Sequence, residues 1–473
     1  MHAVYVTTAI PYVNGRPHVG FALELVQADI IARYHRLLGR KTRLQTGTDE
    51  NAFKNVLVAQ GEGLSPQELV DRNSAVFRTL GQALEISADD FVRTTEARHE
   101  RAVAALWQRL RQGDVYRRQY RGLYCTGCED FYLERDLVEG RCPDHGIAPT
   151  EVAEENFFFR LSAYQDQIEE LLESGRLRVR PLQRRNEVLS FVRRGLEDFS
   201  ISRDARRVQG WGIEVPGHGG QRVYVWIDAL VNYLSGPGFG TDECWKSWWN
   251  EGVRKVHVIG KNVWKFHAVY WPALLLSAGL PLPDELVVHG FLTENGRKIS
   301  KSQGNGIDPL SCVEEFGADA VRYYLLRGVP PFADGDFSLE RLRALYNADL
   351  ANGLGNLAGR LTALAQRSGY GAFAAASAPA PPGYHEALEE GEFDQALASL
   401  WERVAHLNCR IEEVRPWALD AEAVHRYLDC WLPELHRIGY WLAPFLPKSS
   451  QRLRAALAQE PLRALRHLFP RMQ

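Results

Sequence analysis

Three short stretches of this sequence place chemically useful residue types at useful spacings. In the first, Cys125-x2-Cys128 is followed after thirteen residues by Cys142-x2-His145. Thiolate and imidazole are ligands that zinc prefers, and four of them close its tetrahedron. The pattern predicts a structural zinc, with no position left open for catalysis. Such a site can add about 10–16 kcal/mol of binding energy to folding. The second stretch is Tyr12-Val-Asn-Gly-Arg-Pro-His18-Val-Gly20-Phe21. A glycine-containing loop that feeds a helix N-terminus favours an anion, through unpaired backbone N–H groups and the helix dipole. His18 adds a side-chain donor, and Gly20 lets the helix approach a flat base closely. Alone, His-x-Gly is more often a turn holding a satisfied histidine. The third stretch is Lys298-Ile-Ser300-Lys301-Ser302, between Asn295-Gly296 and Gly304-Asn305. Two ammonium groups on a glycine-flanked loop can clamp the charge that develops on a departing pyrophosphate. In isolation the same residues read as an exposed basic loop.

The elements around these stretches must position them. Val4 to Thr8 is a β-branched run with a turn after it at Ala9-Ile10-Pro11, which predicts a buried strand. From His18, apolar residues at 23, 26, 30, 34, 37 and 38 follow a helical spacing that stops at Gly39. Thr42 to Thr46 predicts a second strand, so the chain opens with a βαβ unit and a parallel sheet. Residues 119–152, rich in Cys, Gly and charge, predict a metal-stabilised insertion. Strand patterning returns at Val223 to Asp228, Val256 to Gly260 and Leu286 to Leu292. From Gly335 the pattern is helical, broken by an Ala/Pro-rich loop at 371–383. Arg184, Arg185, Arg193, Arg194, Arg206 and Arg207 crowd one region. They are either a solvated helix face or a surface for an RNA backbone.

Composition narrows the class. The 473 residues allow two to four domains at about 100–200 residues each. A 45% hydrophobic and 24% charged chain is that of a soluble globular protein. The net charge of −3 excludes a polycation, so any nucleic acid must be met by local patches. No signal segment and no apolar run of about 18 residues is present, which predicts a cytoplasmic protein without a membrane span. Seven cysteines, three of them at metal spacing, disfavour a disulfide framework.

Together, the His18 loop and the lysine loop resemble the two signatures of class I aminoacyl-tRNA synthetases, His-x-Gly-His and Lys-Met-Ser-Lys-Ser. The resemblance covers almost the whole chain and is to the methionyl enzymes. It runs through Thr46-Gly-Thr-Asp49-Glu50, Ser202-Arg203, Trp211-Gly212, Tyr224-Val-Trp226-Ile-Asp228-Ala229 and Gly260-Lys261. It continues in Phe266-His267-Ala-Val-Tyr-Trp-Pro272, His289-Gly-Phe-Leu-Thr, Asp308-Pro309 and Gly317-Ala-Asp319-Ala-Val-Arg322-Tyr.

The resemblance implies an α/β fold: a Rossmann-like parallel-sheet catalytic domain with a zinc-knuckle connective insertion and a C-terminal α-helical bundle. The catalytic fold would occupy 1–115 and 215–334, the insertion 116–214, and a helical anticodon-binding domain 335–473. It implies a methionine–tRNA ligase that makes methionyl-adenylate from methionine and ATP, with Mg2+, and charges tRNA(Met). His18, Lys298 and Lys301 would be catalytic, and Gly20, Phe21, His289, Ser300 and Ser302 would bind ATP. Ile10, Tyr12, Asp49, Trp226, Ala229, Leu230, Tyr233, Val263 and His267 would bind methionine. Asp49 suits the α-ammonium, the aromatic rings suit a thioether at about 0.3–1.5 kcal/mol per contact, and His267 is expected to hydrogen-bond near the sulfur. Asn356, Arg360 and Trp417 would read the anticodon by base-edge bonding and stacking. Zn2+ would sit on Cys125, Cys128, Cys142 and His145. A monomer is expected, with no further domain after Gln473.

Three positions depart from the family pattern. Phe21 stands where the second signature histidine would be and cannot donate to a phosphate, though it can pack under a nucleotide. Asn51-Ala52 replaces a common His-Gly, and Ile299 replaces Met, a volume-conserving change. Two rival readings follow: a methionine-activating paralogue that charges no tRNA, and a catalytically silent tRNA-binding protein.

Overall fold

The β-branched N-terminal run forms the strand Ala3–Thr8, whose Val4, Tyr5 and Val6 are buried. It pairs in parallel with Thr42–Thr48 on one side and Val253–Gly260 on the other. These belong to a six-stranded sheet in the order Asp90–Arg93, Thr42–Thr48, Ala3–Thr8, Val253–Gly260, Glu285–His289, Arg178–Arg180. The chain builds outward from Ala3–Thr8 on one side, then returns to the other. Strand order therefore reverses beside Thr8 and Gly260. In such sheets, ligands bind outside the carboxyl ends of the strands at this reversal.

The computed structural model describes residues 3–125, 130–132, 134–143, 146–294, 297–298, 307–371, 373 and 378–472. It divides into two units of discontinuous chain. One comprises Met1–Pro17, Arg40–Thr79 and Ala88–Val288; the other comprises His18–Gly39, Leu80–Ser87 and His289–Gln473.

The first unit holds the six-stranded sheet and a second, four-stranded sheet. In the latter, Val115–Cys125 and Thr150–Phe159 form a long antiparallel pair, flanked by Asp130–Tyr132 and Phe199–Ser200. One expectation fails here. Val223 ends the strand His218–Val223, and Val225–Leu230 is a helix, not a continued strand. Val225, Ile227, Asp228, Ala229 and Leu230 are all buried. A helix buried on most sides has no periodic polar face, so its short apolar run reads like a buried strand.

The second unit is mostly helical. Its longest helices are Val19–Leu37, Phe393–Val414 and Ala421–Trp441. A buried ion pair organises it: Arg322 Nη1 lies 2.7 Å from Asp29 Oδ2, both fully buried. The same guanidinium donates to the carbonyls of Phe445, Pro444 and Leu84 at 2.8, 2.9 and 3.2 Å. Burial pushes the Asp29 carboxyl up, but Arg322, Arg33 and Ser87 outweigh it and hold it below the usual carboxylate range. Among the described residues, no helix is long and apolar enough to cross a membrane.

Candidate active site

The reversal point is lined by the residues predicted to hold methionine. Asp49 N donates to Pro11 O at 2.9 Å, and a parallel bridge pairs Tyr12 with Asp49. This sets Asp49, 1% exposed, next to Tyr12 across the backbone bridge. Tyr12 and Ile10 extend the strand Ala3–Thr8, while Val263 and His267 follow the strand Val253–Gly260. His267 lies in a widened π-helical turn, Phe266–Tyr270, a distortion often found at functional sites. The helix Val225–Leu230 supplies Trp226, Ala229 and Leu230. Trp226 stacks on Phe266 with centroids 4.1 Å apart and tilts against Tyr12 at 5.6 Å.

Hydrogen bonds fix the tautomer of His267. Its Nδ1 lies 2.9 Å from Val263 O, which can only accept, so Nδ1 carries the proton. Nε2 therefore accepts from the Tyr233 hydroxyl at 2.7 Å. Burial lowers the His267 pKa to about 4, so the ring is neutral at neutral pH. Both ring nitrogens have protein partners, Val263 O and the Tyr233 hydroxyl.

Several residues of the site were not legible in the sequence. His257 stacks on Tyr233 with centroids 4.1 Å apart, and its Nδ1 lies 2.6 Å from Thr7 Oγ1. Burial lowers its pKa well below the usual value. The one available signal was a histidine inside an otherwise apolar strand, Val256-His257-Val258. Beneath the helix Val225–Leu230, Asp228 Oδ1 meets His99 Nε2 at 2.6 Å, and Asp228 Oδ2 accepts from Asn51 Nδ2 at 2.7 Å. Asn51 also donates to Thr94 O at 3.1 Å. The departure Asn51-Ala52 is thus absorbed: the amide holds two partners, and Ala52 is fully buried just before the helix Phe53–Glu62. Glu50 accepts from Arg93 Nε at 2.7 Å and from Arg93 Nη2 at 3.0 Å, which braces the Asp49 turn.

In the second unit, His18 caps the helix Val19–Leu37, its Nδ1 accepting from Gly20 N at 3.1 Å. That bond leaves the proton of a neutral His18 on Nε2, as a donor. A Cβ at Gly20 would stand 2.9 Å from His18 Cε1, so only glycine lets the imidazole fold back this way. The first turn carries no acidic residue to repel an anion. Phe21 is buried, at 7% exposure. His289 is held by both nitrogens, Nδ1 donating to Gly290 O at 2.8 Å and Nε2 lying 3.0 Å from Glu24 Oε2. Arg297–Lys298 pairs with Leu292–Glu294, which pairs in turn with Gly335–Asp336. Ser300, Lys301 and Ser302 lie outside the described residues, as does the Lys298 side chain.

Of the predicted zinc ligands, Cys125 ends the strand Val115–Cys125, and Cys142 sits on a turn closed by Gly146 N donating to Cys142 O at 2.8 Å. Both thiols are buried, at 0% and 1% exposure. Two soft donors withdrawn from water fit a zinc cage. Cys128 and His145 lie outside the described residues. Among the described residues, no group of three or more possible ligands assembles.

The crowded arginines are largely matched to acids. Arg184 pairs with Glu187 at 2.6 Å, Arg193 with Glu169 at 2.7 Å, Arg206 with Asp204 at 2.7 Å and Arg207 with Glu154 at 3.0 Å. That geometry favours the solvated-face reading. In the helical unit, Asn356 opens the helix Asn356–Arg367 and is exposed. Arg360 pairs with Glu412 at 2.5 Å, which sets it near the end of Phe393–Val414. Just beyond, Arg415 turns the chain at φ 49°, and Trp417 presents an indole that is 52% exposed.

Comparison with known proteins agrees with this geometry. The family model for tRNA synthetases class I (M) matches residues 4–151 and 145–362. A methionine–tRNA ligase of Brucella suis is 41% identical, over 96% of this chain and 91% of its own length. The same enzyme of Thermotoga maritima is 38% identical, over 98% of this chain and 76% of its own. The structure of Mycobacterium tuberculosis methionyl-tRNA synthetase in complex with methionyl-adenylate superposes with a TM-score of 0.89. It is 38% identical over 98% of this chain and 95% of that one. The chain belongs to the class I tRNA synthetases, within their methionyl group.

Proposed function

We propose that the chain activates methionine with ATP and transfers the methionyl group to tRNA(Met). The observation that carries this reading is the arrangement at the sheet's reversal point, where the backbone of Asp49 bridges to that of Tyr12 and the Trp226 ring lies against the Tyr12 ring. A carboxyl beside aromatic rings matches an amino acid with an unbranched, polarizable side chain. Asp49 takes the α-ammonium. Trp226, Tyr12, Ala229, Leu230, Ile10 and Val263 enclose the thioether, and Tyr233, held by His267, closes the far wall.

The methionine carboxylate attacks the α-phosphate of ATP in line. The bond to the β-phosphate oxygen breaks, pyrophosphate leaves, and methionyl-adenylate remains. Catalysis is by positioning and charge stabilisation. His18 Nε2–H and the backbone N–H groups behind Gly20 meet the phosphates, with Phe21 packed beneath. Lys298 and Lys301 neutralise the departing pyrophosphate. Ser300, Ser302 and His289 complete the nucleotide site, and Mg2+ accompanies ATP. A terminal ribose hydroxyl of the tRNA then attacks the mixed anhydride and releases AMP. Asn356, Arg360 and Trp417 read the anticodon. A structural Zn2+ held by Cys125, Cys128, Cys142 and His145 would hold the insertion together. The reading keeps the boundaries 1–115, 116–214, 215–334 and 335–473, a monomer and a cytoplasmic location.

ATP–pyrophosphate exchange with methionine or leucine, followed by charging of tRNA(Met), tests this. Methionine-dependent exchange followed by charging is the expected result. Exchange without charging would point to the paralogue, and tRNA binding without exchange to the silent binder.

A further inference from the structure

The turn that carries Asp49 is strapped to its surroundings. Asp49 N donates to Pro11 O at 2.9 Å. Glu50 N donates to Thr94 Oγ1 at 2.8 Å, and Glu50 O accepts from Trp211 Nε1 at 2.9 Å. The Asn51 amide reaches in two directions. Its Nδ2 donates to Thr94 O at 3.1 Å and to Asp228 Oδ2 at 2.7 Å. Both protons of one nitrogen are thereby committed. The imidazole common in the family at this position carries its N–H groups on separate nitrogens, so a double grip from a single atom belongs to the amide.

The second of those bonds joins the Asp49 turn to the helix Val225–Leu230. Asp228 anchors that helix from behind. It is fully buried, and its other oxygen takes His99 Nε2 at 2.6 Å. His99 Nδ1 lies 2.8 Å from Ser235 Oγ, in the short helix Asn232–Ser235. Residues two apart on a helix point about 200° apart. Trp226 therefore leaves on the face opposite Asp228, where its ring stacks on Phe266 and lies 5.6 Å from the Tyr12 ring. Tyr12 is bridged in turn to Asp49. The path from Asp49 through Asn51, Asp228, Trp226 and Tyr12 returns to Asp49 as a closed loop.

That loop fixes a distance. Asp49 is to meet the α-ammonium of the amino acid, and Trp226 its side chain. We propose that Asn51 is a positioning residue for methionine: by holding Asp228 it sets the gap between Asp49 and the Trp226 ring, and so decides which side chains fit beside Tyr12. The proposal rests on the methionine-activation reading above. Shape sorts small apolar side chains weakly, so the placing of a wall matters. A shift of about 1 Å in such a wall can cost about 100-fold in rate.

ATP–pyrophosphate exchange on the full chain provides the test. Asn51→Asp keeps the shape but turns an oxygen towards Asp228 Oδ2 and Thr94 O. It should raise KM for methionine about tenfold, with KM for ATP within about twofold of wild type. Preference for methionine over leucine should fall about fivefold. Adding Asp228→Asn exchanges donor and acceptor, and the remaining oxygen of residue 228 still accepts from His99. The double variant should return KM for methionine to within about threefold of wild type. Asn51→Ala brings no charge, should raise that KM about threefold, and carries the test if Asn51→Asp does not fold. Equal rises in both KM values, or a fall in kcat alone, would overturn the proposal, because they detach Asn51 from the amino-acid site. So would an unchanged KM for methionine in the Asn51 variants, or a double variant no better than Asn51→Asp. A wild-type protein whose exchange does not depend on methionine removes the reading beneath the proposal instead.

Discussion

Around Tyr233 the side chains satisfy one another; around Trp417 they face solvent. Tyr233, 1% exposed, donates to His267 and is stacked by His257, whose Nδ1 meets Thr7. Trp417 is 52% exposed on a short turn after a left-handed residue, with exposed Asn356 and half-buried Arg360 in the same helical unit. A small apolar ligand is sorted by shape, at only about 1–3 kcal/mol per methylene, so its walls must be held rigid. A base from an unstacked RNA loop needs an open face to stack on, and rigidity of the surroundings matters less. The two regions therefore respond differently to substitution.

The largest effect is expected where a buried charge is stranded. Arg322→Ala leaves Asp29 buried without its main cation and should lower stability by about 3–5 kcal/mol, read as a shift in urea midpoint at unchanged m-value. A change under about 1 kcal/mol would show that this ion pair does not organise the helical unit. Asp49→Asn should lower kcat/KM for methionine by about 2–5 kcal/mol, or roughly 30- to 5,000-fold, with KM for ATP little changed. An unchanged KM for methionine would remove the carboxyl from the amino-acid site.

Tyr233→Phe deletes only a hydroxyl, yet it strands the buried His267 Nε2 lone pair. The expected rise in KM for methionine corresponds to about 1–3 kcal/mol. The same substitution should leave the KM for tRNA alone. Trp417→Ala should do the reverse: exchange stays at wild type while tRNA charging weakens by about 1–3 kcal/mol. If both variants moved both parameters, the contrast between a closed pocket and an open platform would fail.

The smallest effect concerns pH. Burial depresses the pKa of His267 to about 4 and that of His257 well below its usual value. In the unfolded chain both titrate near 6.5. Below that pH the unfolded state binds protons that the folded state refuses, so stability falls as pH falls. Between pH 6 and 5 His267 should remove about 1 kcal/mol, with His257 acting in the same direction, measured by urea unfolding at each pH. His257→Phe should reduce that slope, and an unchanged slope would mean that the ring is not buried neutral.

The parts of the fold legible in the sequence were those with strong local rules. The β-branched run at Val4–Thr8, the helical spacing ending at Gly39 and the return of strands near Val256 and Leu286 all follow from burial patterns. They reappear as Ala3–Thr8, Val19–Leu37, Val253–Gly260 and Glu285–His289. The segment Val223 to Asp228 misled, because a helix buried on most sides loses the polar face that marks it. The residues expected to hold methionine were legible only through family likeness. No periodicity distinguishes Tyr233 or His267 from an ordinary core ring.

Sequence by itself determined which chemistries this chain can support: thiols at zinc spacing, an imidazole entering a helix, and two lysines between glycines. It determined them because residue type fixes donor, acceptor and charge wherever the chain goes. Tertiary structure alone decided how these groups are used. It joined His267 to Tyr233, set His257 behind the ring, absorbed Asn51 beneath Asp228 and tied many of the arginines to neighbouring acids. Those outcomes depend on partners that are distant in sequence, as Thr7 is from His257. Proton positions and ion pairs follow from what packs against each group, which residue order does not state.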